Sequence, residues 1–300
     1  MNLTTDIAGI QLKNPVIMAS GTFGREYGRF TDPAKLGAVI PKSVTLEARS
    51  GNPAPRVWET TAGMLNSIGL ENRGVTYFVE EELPLWLGLG ATVIASVAGE
   101  TIDEFVRVAE IFNDVDGISA LELNVSCPNV DRGGIQFGCR PRLAADVTAA
   151  VKSVANKPVI VKLTPNVTSI TEIAKAVEAA GADAVSLINT VLGMAIDIAA
   201  EKPALGRVVG GLSGPAIKPI ALRLVYETVG AIDIPVIGLG GITTPADALE
   251  FMLAGASAVQ IGTATFIEPK TGEQVVAGIG TYLREHDYDN ITQLIGRARL

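Results

Sequence analysis

Ile234-Pro-Val-Ile-Gly-Leu-Gly240-Gly241, followed by Pro245–Ala254 and then by Ala256-Ser-Ala-Val-Gln-Ile-Gly262-Thr263, reads as a strand, a helix and a second strand. Both apolar runs are too short for a helix and stop at glycine. Between them the apolar residues recur at helical spacing, with Pro245 at the start and Gly255 just past the end. Strands with no polar alternation are buried on both faces, which is the habit of parallel sheets covered by helices.

The same unit recurs along the chain. Pro15-Val-Ile-Met-Ala19, Gly37-Ala-Val-Ile-Pro-Lys42, Ala91-Thr-Val-Ile-Ala-Ser96, Ile118–Asn124, Pro158-Val-Ile-Val-Lys162-Leu163 and Ala182–Asn189 are six further strands. Amphipathic helices are expected over Ile102–Phe112, Leu143–Val154, Thr168–Ala180 and Pro215–Val229. Eight strand–helix units close naturally into an α/β (β/α)₈ TIM barrel. The alternative, an open doubly wound sheet, usually has fewer strands and a Gly-rich turn after its first. Asn2–Gln11 reads as a β-hairpin turning at Gly9 and capping the barrel floor. Thr45–Gly74 and Thr190–Gly214 are too long for plain connections and are expected to be lids or binding loops at the C-terminal face. With no linker or low-complexity tract, residues 1–300 read as one domain.

Composition narrows the function. The chain is 48% hydrophobic and 19% charged, ample for one large core, and its formal net charge of -8 comes without a basic cluster for nucleic acid. No apolar run approaches the roughly 20 residues that span a bilayer. The first residues lack the positive start and apolar stretch of a signal peptide, so the expectation is a cytoplasmic protein. Cys127 and Cys139 are expected to be free thiols, and two cysteines are too few for an iron–sulfur cluster within this chain. One histidine, His286, leaves no room for a histidine zinc site or a Ser-His-Asp triad.

Barrel chemistry gathers where strands end. Those ends are Ser20, Lys42, Ser96, Asn124, Lys162, Asn189, Gly240-Gly241 and Gly262-Thr263. Glycine-rich turns after strands seven and eight free backbone N–H groups for a phosphate. Lys42 and Lys162 each end an apolar strand, where a lysine is either a salt-bridged rim residue, a stabiliser of a developing anion or a Schiff-base former. Asn66, Asn124, Asn129 and Asn189 offer the donors and acceptor that complement a flat imide ring, although a single loop Asn is usually a turn residue. Cys127 sits between a strand-end Asn and a Gly-rich loop. A thiol, with a reference pKa of about 8.5, can there serve as a general base rather than as a buried structural Cys. Cys139 has no evident role.

Asn124-Val-Ser-Cys-Pro-Asn129, Met64-Leu-Asn-Ser-Ile-Gly-Leu70, Val161-Lys-Leu-Thr-Pro165 and Gly240-Gly-Ile242 together resemble dihydroorotate dehydrogenases of class 1, over nearly the whole chain. Ala19-Ser-Gly-Thr-Phe-Gly24 and Gly211-Leu-Ser-Gly-Pro-Ala-Ile-Lys-Pro219 resemble the NAD-linked B subclass. The resemblance implies a flavoprotein of pyrimidine (UMP) biosynthesis, with FMN at the barrel mouth and dihydroorotate oxidised to orotate. It implies flavin contacts from Ser20, Gly21, Lys42, Ser43, Ser96, Asn124, Lys162 and Ile188, with Gly214, Gly240, Gly241, Gly262 and Thr263 holding the remainder and the phosphate. Substrate would meet Lys42, Asn66, Ser67, Ile68, Gly69, Leu70, Asn124, Asn189 and Thr190, with Asn129 helping from the loop. Cys127 would take the C5 proton as hydride passes from C6 to flavin N5, and Lys162 would steady charge on the reduced ring. Ser96 stands where the family often has Asn, a shorter hydroxyl for that contact. A partner subunit carrying FAD and a [2Fe–2S] cluster is implied, on a homodimer of catalytic chains within a heterotetramer. Other readings are a dihydropyrimidine dehydrogenase-type flavin barrel, a Schiff-base aldolase using Lys42 or Lys162, and a non-catalytic phosphate-binding barrel.

Overall fold

In the computed structural model, which describes residues 1–125 and 137–300, the expected barrel is present. Its strands are β1 (Val16–Met18), β2 (Ala38–Val39), β3 (Val93–Val97), β4 (Ile118–Asn124), β5 (Val159–Lys162), β6 (Ala184–Leu187), β7 (Val236–Leu239) and β8 (Ala258–Ile261). They pair in chain order, all parallel, and β8 closes the ring on β1 through Val259 opposite Val16.

The shortest strand has a local cause. Gly37–Lys42 was expected to be extended, but ladder pairing stops after Val39, because Pro41 has no N–H to donate. Pairing resumes beyond it, where Val44 donates to the Ser96 carbonyl (2.8 Å) and accepts from the Ala98 N–H (2.9 Å).

The helices follow the sequence closely: α1 (Ile102–Asn113), α2 (Pro141–Lys152), α3 (Ile170–Ala179), α4 (Lys218–Val229), α5 (Pro245–Leu253) and α6 (Thr271–Glu285). Thr101, Ser169 and Thr244 cap three of them, each hydroxyl accepting from an N–H three residues on. The expected helix from Pro215 divides in two. Pro219 cannot donate to the Pro215 carbonyl, so Pro215–Ile217 is a tight 3₁₀ turn and α4 begins afresh at Lys218. On α1 the buried residues Phe105, Val108, Ala109 and Phe112 lie on one face and pack on the barrel wall.

Two apolar cores result. The larger fills the space between strands and helices. The smaller lies inside the barrel, where Ile17, Ile40, Ile94, Ile160 and Ile237 meet Ile7, Ile10 and Leu12 of the N-terminal hairpin. That hairpin (Thr5–Ile7 with Ile10–Leu12) turns through Ala8 and Gly9, both at positive φ (55° and 84°), as a two-residue hairpin turn requires. It plugs the floor, as its sequence suggested.

The two long excursions are present, but they are not irregular loops. Val57–Thr60, Gly63–Asn66, Val209–Ser213 and Val191–Met194 form one antiparallel sheet, in the spatial order given. Its centre pairs Gly211 with Asn66, so the two excursions brace one another above the barrel. Among the described residues, no helix is long and apolar enough to cross a membrane.

Candidate active site

A cleft opens where the barrel strands end, enclosing about 1310 Å³ of empty space with its open mouth included. Ser20 and Gly21 follow β1, and Lys42 and Ser43 follow β2. Asn124 and Lys162 are the last residues of β4 and β5, Ile188 and Asn189 follow β6, and Gly240-Gly241 and Gly262-Thr263 follow β7 and β8; all line the cleft. The braced sheet adds Asn66, Gly214 and the neighbouring Ile68, Gly69, Leu70 and Thr190. Lysines, carboxamides and glycine turns from distant parts of the chain thus face one space.

Two expected residues do not reach it. Ser96 is buried one layer behind, its hydroxyl 2.9 Å from that of Ser43. Ser43 in turn lies 3.2 Å from the Ser20 hydroxyl and accepts from Asn124 Nδ2 (3.2 Å), so Ser96 ends a relay of hydroxyls along one wall. Ser67 is also fully buried. It accepts from Asn52 Nδ2 at both its hydroxyl (3.1 Å) and its carbonyl (3.2 Å), which fixes the bend that presents Asn66 and Ile68. Cys127 and Asn129 lie outside the described residues.

The floor of the cleft holds a group that the sequence reading missed. Glu122, two residues before Asn124 on β4, is fully buried. Its Oε1 lies 3.4 Å from Lys162 Nζ, while its Oε2 accepts from Ser186 Oγ (2.9 Å) and Gln260 Nε2 (2.6 Å). Gln260 Oε1 also faces Lys162 Nζ at 3.4 Å. Strand parity was the available signal. Residues two apart share a face, so a charge two before an inward Asn points into the barrel.

The glycine turns are real close approaches. At Gly240 an added Cβ would lie 2.7 Å from the Ala221 Cβ, and at Gly241 2.8 Å from the Lys218 backbone nitrogen. Both have positive φ (128° and 75°). The helix that follows these glycines closes its own start. Asp247 Oδ2 accepts from the N–H groups of Thr243 (2.9 Å) and Thr244 (2.8 Å), closing the start of α5 with its own side chain. Burial raises the Asp247 carboxyl, but Lys218 and the Thr243 and Thr244 donors outweigh it and hold the group far below the usual carboxylate range. The turn after β8 differs. Thr263–Phe266 is a 3₁₀ turn whose first N–H groups have no partner within the turn, and Thr263 Oγ1 donates to Ser213 Oγ (2.7 Å).

The remaining titratable candidates lie elsewhere. Cys139 does not line the cleft, and burial pushes its thiol up, away from reactivity. His286 is exposed and stacks on Tyr282 with ring centroids 3.9 Å apart.

The sequence has close relatives among known proteins. The family model described as dihydroorotate dehydrogenase matches residues 2–283. Three relatives named dihydroorotate dehydrogenase B (NAD(+)), catalytic subunit, have very similar sequences. The protein of Alkaliphilus oremlandii is 53% identical, with 99% of this chain and 98% of that one covered. That of a Thermoanaerobacter species is 52% identical with both chains fully covered, and that of Bacteroides thetaiotaomicron is 52% identical over 98% of each. The chain therefore belongs to the dihydroorotate dehydrogenase family, and its expected likeness to the catalytic subunits of the NAD-linked B subclass is borne out.

Proposed function

We propose that this chain, acting as one cytoplasmic barrel domain, oxidises dihydroorotate to orotate with a bound FMN and passes the electrons through a partner subunit to NAD. The carrying observation is the convergence of Lys42, Lys162, Asn66, Asn124 and Asn189 on one cleft whose far side is built of glycine turns. The residues present fit the cofactor. Side chains at Gly240 and Gly241 would collide with α4, so backbone alone fills that side, and the turn at Thr263 offers N–H groups suited to a phosphate.

When bound, FMN supplies a two-electron acceptor for the hydride that leaves C6 of the substrate. The protein's own residues do the rest. Asn66, Asn124 and Asn189 pair with the ring amides of the substrate, and Lys42 and the backbone at Gly69 receive its carboxylate. Ser20, Gly21, Ser43, Ile188 and Gly214 complete the flavin's walls, with Ser96 acting through Ser43. Ser67, Ile68, Leu70 and Thr190 shape the substrate side. Cys127 takes the C5 proton, and Lys162 holds positive charge where the reduced ring gathers electrons. This chain has too few cysteines for an iron–sulfur cluster, which supports FAD and [2Fe–2S] residing on the partner. Exposed Leu192, Met194 and Val209 on the braced sheet support assembly with further chains, as a homodimer within a heterotetramer.

The test is the visible spectrum of the purified protein. A yellow protein that bleaches anaerobically on adding dihydroorotate, but not dihydrouracil, is expected; the isolated chain should then reduce NAD poorly. A colourless protein that takes up no FMN defeats the reading. Replacing Cys127 with Ser should slow bleaching at neutral pH by about 10²–10⁴-fold, the usual range for a lost general base. An unchanged rate removes the thiol from the chemistry.

A further inference from the structure

Of the polar cluster at the floor of the cleft, the scheme above uses Lys162 alone. Glu122, Lys162, Ser186 and Gln260 come from four strands and are all buried within the barrel. Lys162 and Gln260 line the cleft; Glu122 does not. Three donors converge on Glu122: the Lys162 ammonium, the Ser186 hydroxyl and the Gln260 amide. That set complements an ionised carboxylate, which only accepts. The carboxylate in turn orients Gln260. Its NH₂ must face Glu122, so its carbonyl oxygen faces Lys162.

We propose that Glu122 is a positioning residue for the oxidation and a setter of flavin potential. It anchors the Lys162 ammonium at the cleft floor and offsets its charge. The proposal rests on the FMN reading above. A reduced flavin carries negative charge on its pyrimidine ring, so a lone ammonium nearby favours the reduced form. An ammonium balanced by a buried carboxylate favours it less, because in a low-dielectric interior neither charge is screened by water. Glu122 thus keeps the reduced flavin a good enough donor to hand its electrons onward, while Lys162 stays fixed as a hydrogen-bond donor.

The experiment compares the flavin midpoint potential of four holoenzymes: wild type, Glu122→Gln, Lys162→Met and the double variant. Reduction is carried out anaerobically against a reference dye, with FMN occupancy measured alongside. Glu122→Gln should shift the equilibrium about tenfold toward reduced flavin, a rise of about 30 mV for a two-electron couple. In the Lys162→Met background the same change should shift it less than threefold, because the charge being offset is gone. No shift in either background would mean that Glu122 only packs the barrel, and an equal shift in both would mean that its charge acts without Lys162; either result overturns the proposal. If Glu122→Gln loses its flavin, Ser186→Ala carries the test. With one donor removed from the carboxylate, its charge is less muted and the potential should fall; an unmoved potential overturns the proposal there too. A wild type that binds no FMN defeats both readings, whereas a yellow wild type with an unmoved Glu122→Gln potential defeats this one alone.

Discussion

The barrel interior has two layers made by the same strands, and they differ completely in chemistry. In the lower layer, Ala120, Ile160, Ala184, Ile237 and Ala258 pack against the hairpin with no polar group among them. Two residues further along those strands stand Glu122, Lys162, Ser186 and Gln260, joined by hydrogen bonds and an ion pair. A strand of period two carries both layers on one face, so two residues, roughly 6.6 Å of chain, separate packing from the site. The lower layer excludes water and fixes the strand ends. The upper layer is able to hold buried charge because its partners are already in place when a ligand arrives. Substitutions two residues apart on one strand should therefore fail in different ways.

The largest effect is expected at Lys162. Lys162→Met leaves the Glu122 carboxylate buried without its counter-charge, and breaking such a pair from one side costs about 3–5 kcal/mol. Urea denaturation should register the loss, and adding Glu122→Gln should recover most of it. A double variant no more stable than Lys162→Met would show the two charges to be energetically independent. Ile160→Ala, two residues earlier on β5, opens a cavity instead and should cost about 2–5 kcal/mol. Its orotate affinity should stay within a few-fold of wild type, since Ile160 lies below the polar layer. A severe loss of affinity would show that the lower layer transmits strain to the cleft.

Acid tests the contrast at the rim. The Asp247 carboxyl is held well below its unfolded value by Lys218 and the Thr243 and Thr244 donors, against the effect of burial. A depressed carboxylate stabilises the fold above its unfolded pKa, near 3.9, and that contribution is lost as pH falls through the lower folded value. Lys218 is raised, with the Asp247 hydrogen bond the leading cause, so its contribution is present below about pH 10.4 and fades in alkali. In Asp247→Asn the fall in melting temperature below about pH 4 should be shallower than in wild type. An identical acid slope would assign acid unfolding to other carboxylates.

These two layers also mark what the sequence made legible. Apolar runs ending in glycine, such as Val236–Gly240, identified strands and their order, because burial on both faces leaves that local trace. Thr101 and Thr244 cap the helices that follow them, a signal equally local to the sequence. The braced sheet left no such trace: Asn66 pairs with Gly211, 145 residues further along, and Gly211 is needed there because a Cβ would strike the Thr190 side chain. Glu122 was hidden by the alternation Ile118-Ser-Ala-Leu-Glu-Leu, in which a Glu resembles an ordinary solvent-facing residue. In a closed barrel the alternate face is the interior, so the same pattern carries the opposite meaning. Most cleft residues were found because they stand at strand ends; that Ser67 and Ser96 stand behind the lining rather than in it left no trace in the sequence, because neighbours in sequence need not share a face.

The smallest expected effect is at Ser96, and it concerns how far the polar layer extends. Among the described residues its hydroxyl meets only Ser43, which stands between it and the cleft. Ser96→Ala removes one buried hydrogen bond and should cost about 0.5–1.5 kcal/mol of stability, with FMN affinity changing by less than threefold. The surviving Ser43 keeps Asn124 Nδ2 as a donor and Ser20 as a neighbour, so its own position is over-determined. Ser43→Ala should weaken FMN binding more than Ser96→Ala, since it removes the hydroxyl that faces the cleft along with the relay behind it. Equal losses for the two variants would mean that Ser96 reaches the ligand in its own right, as a longer Asn at that position would.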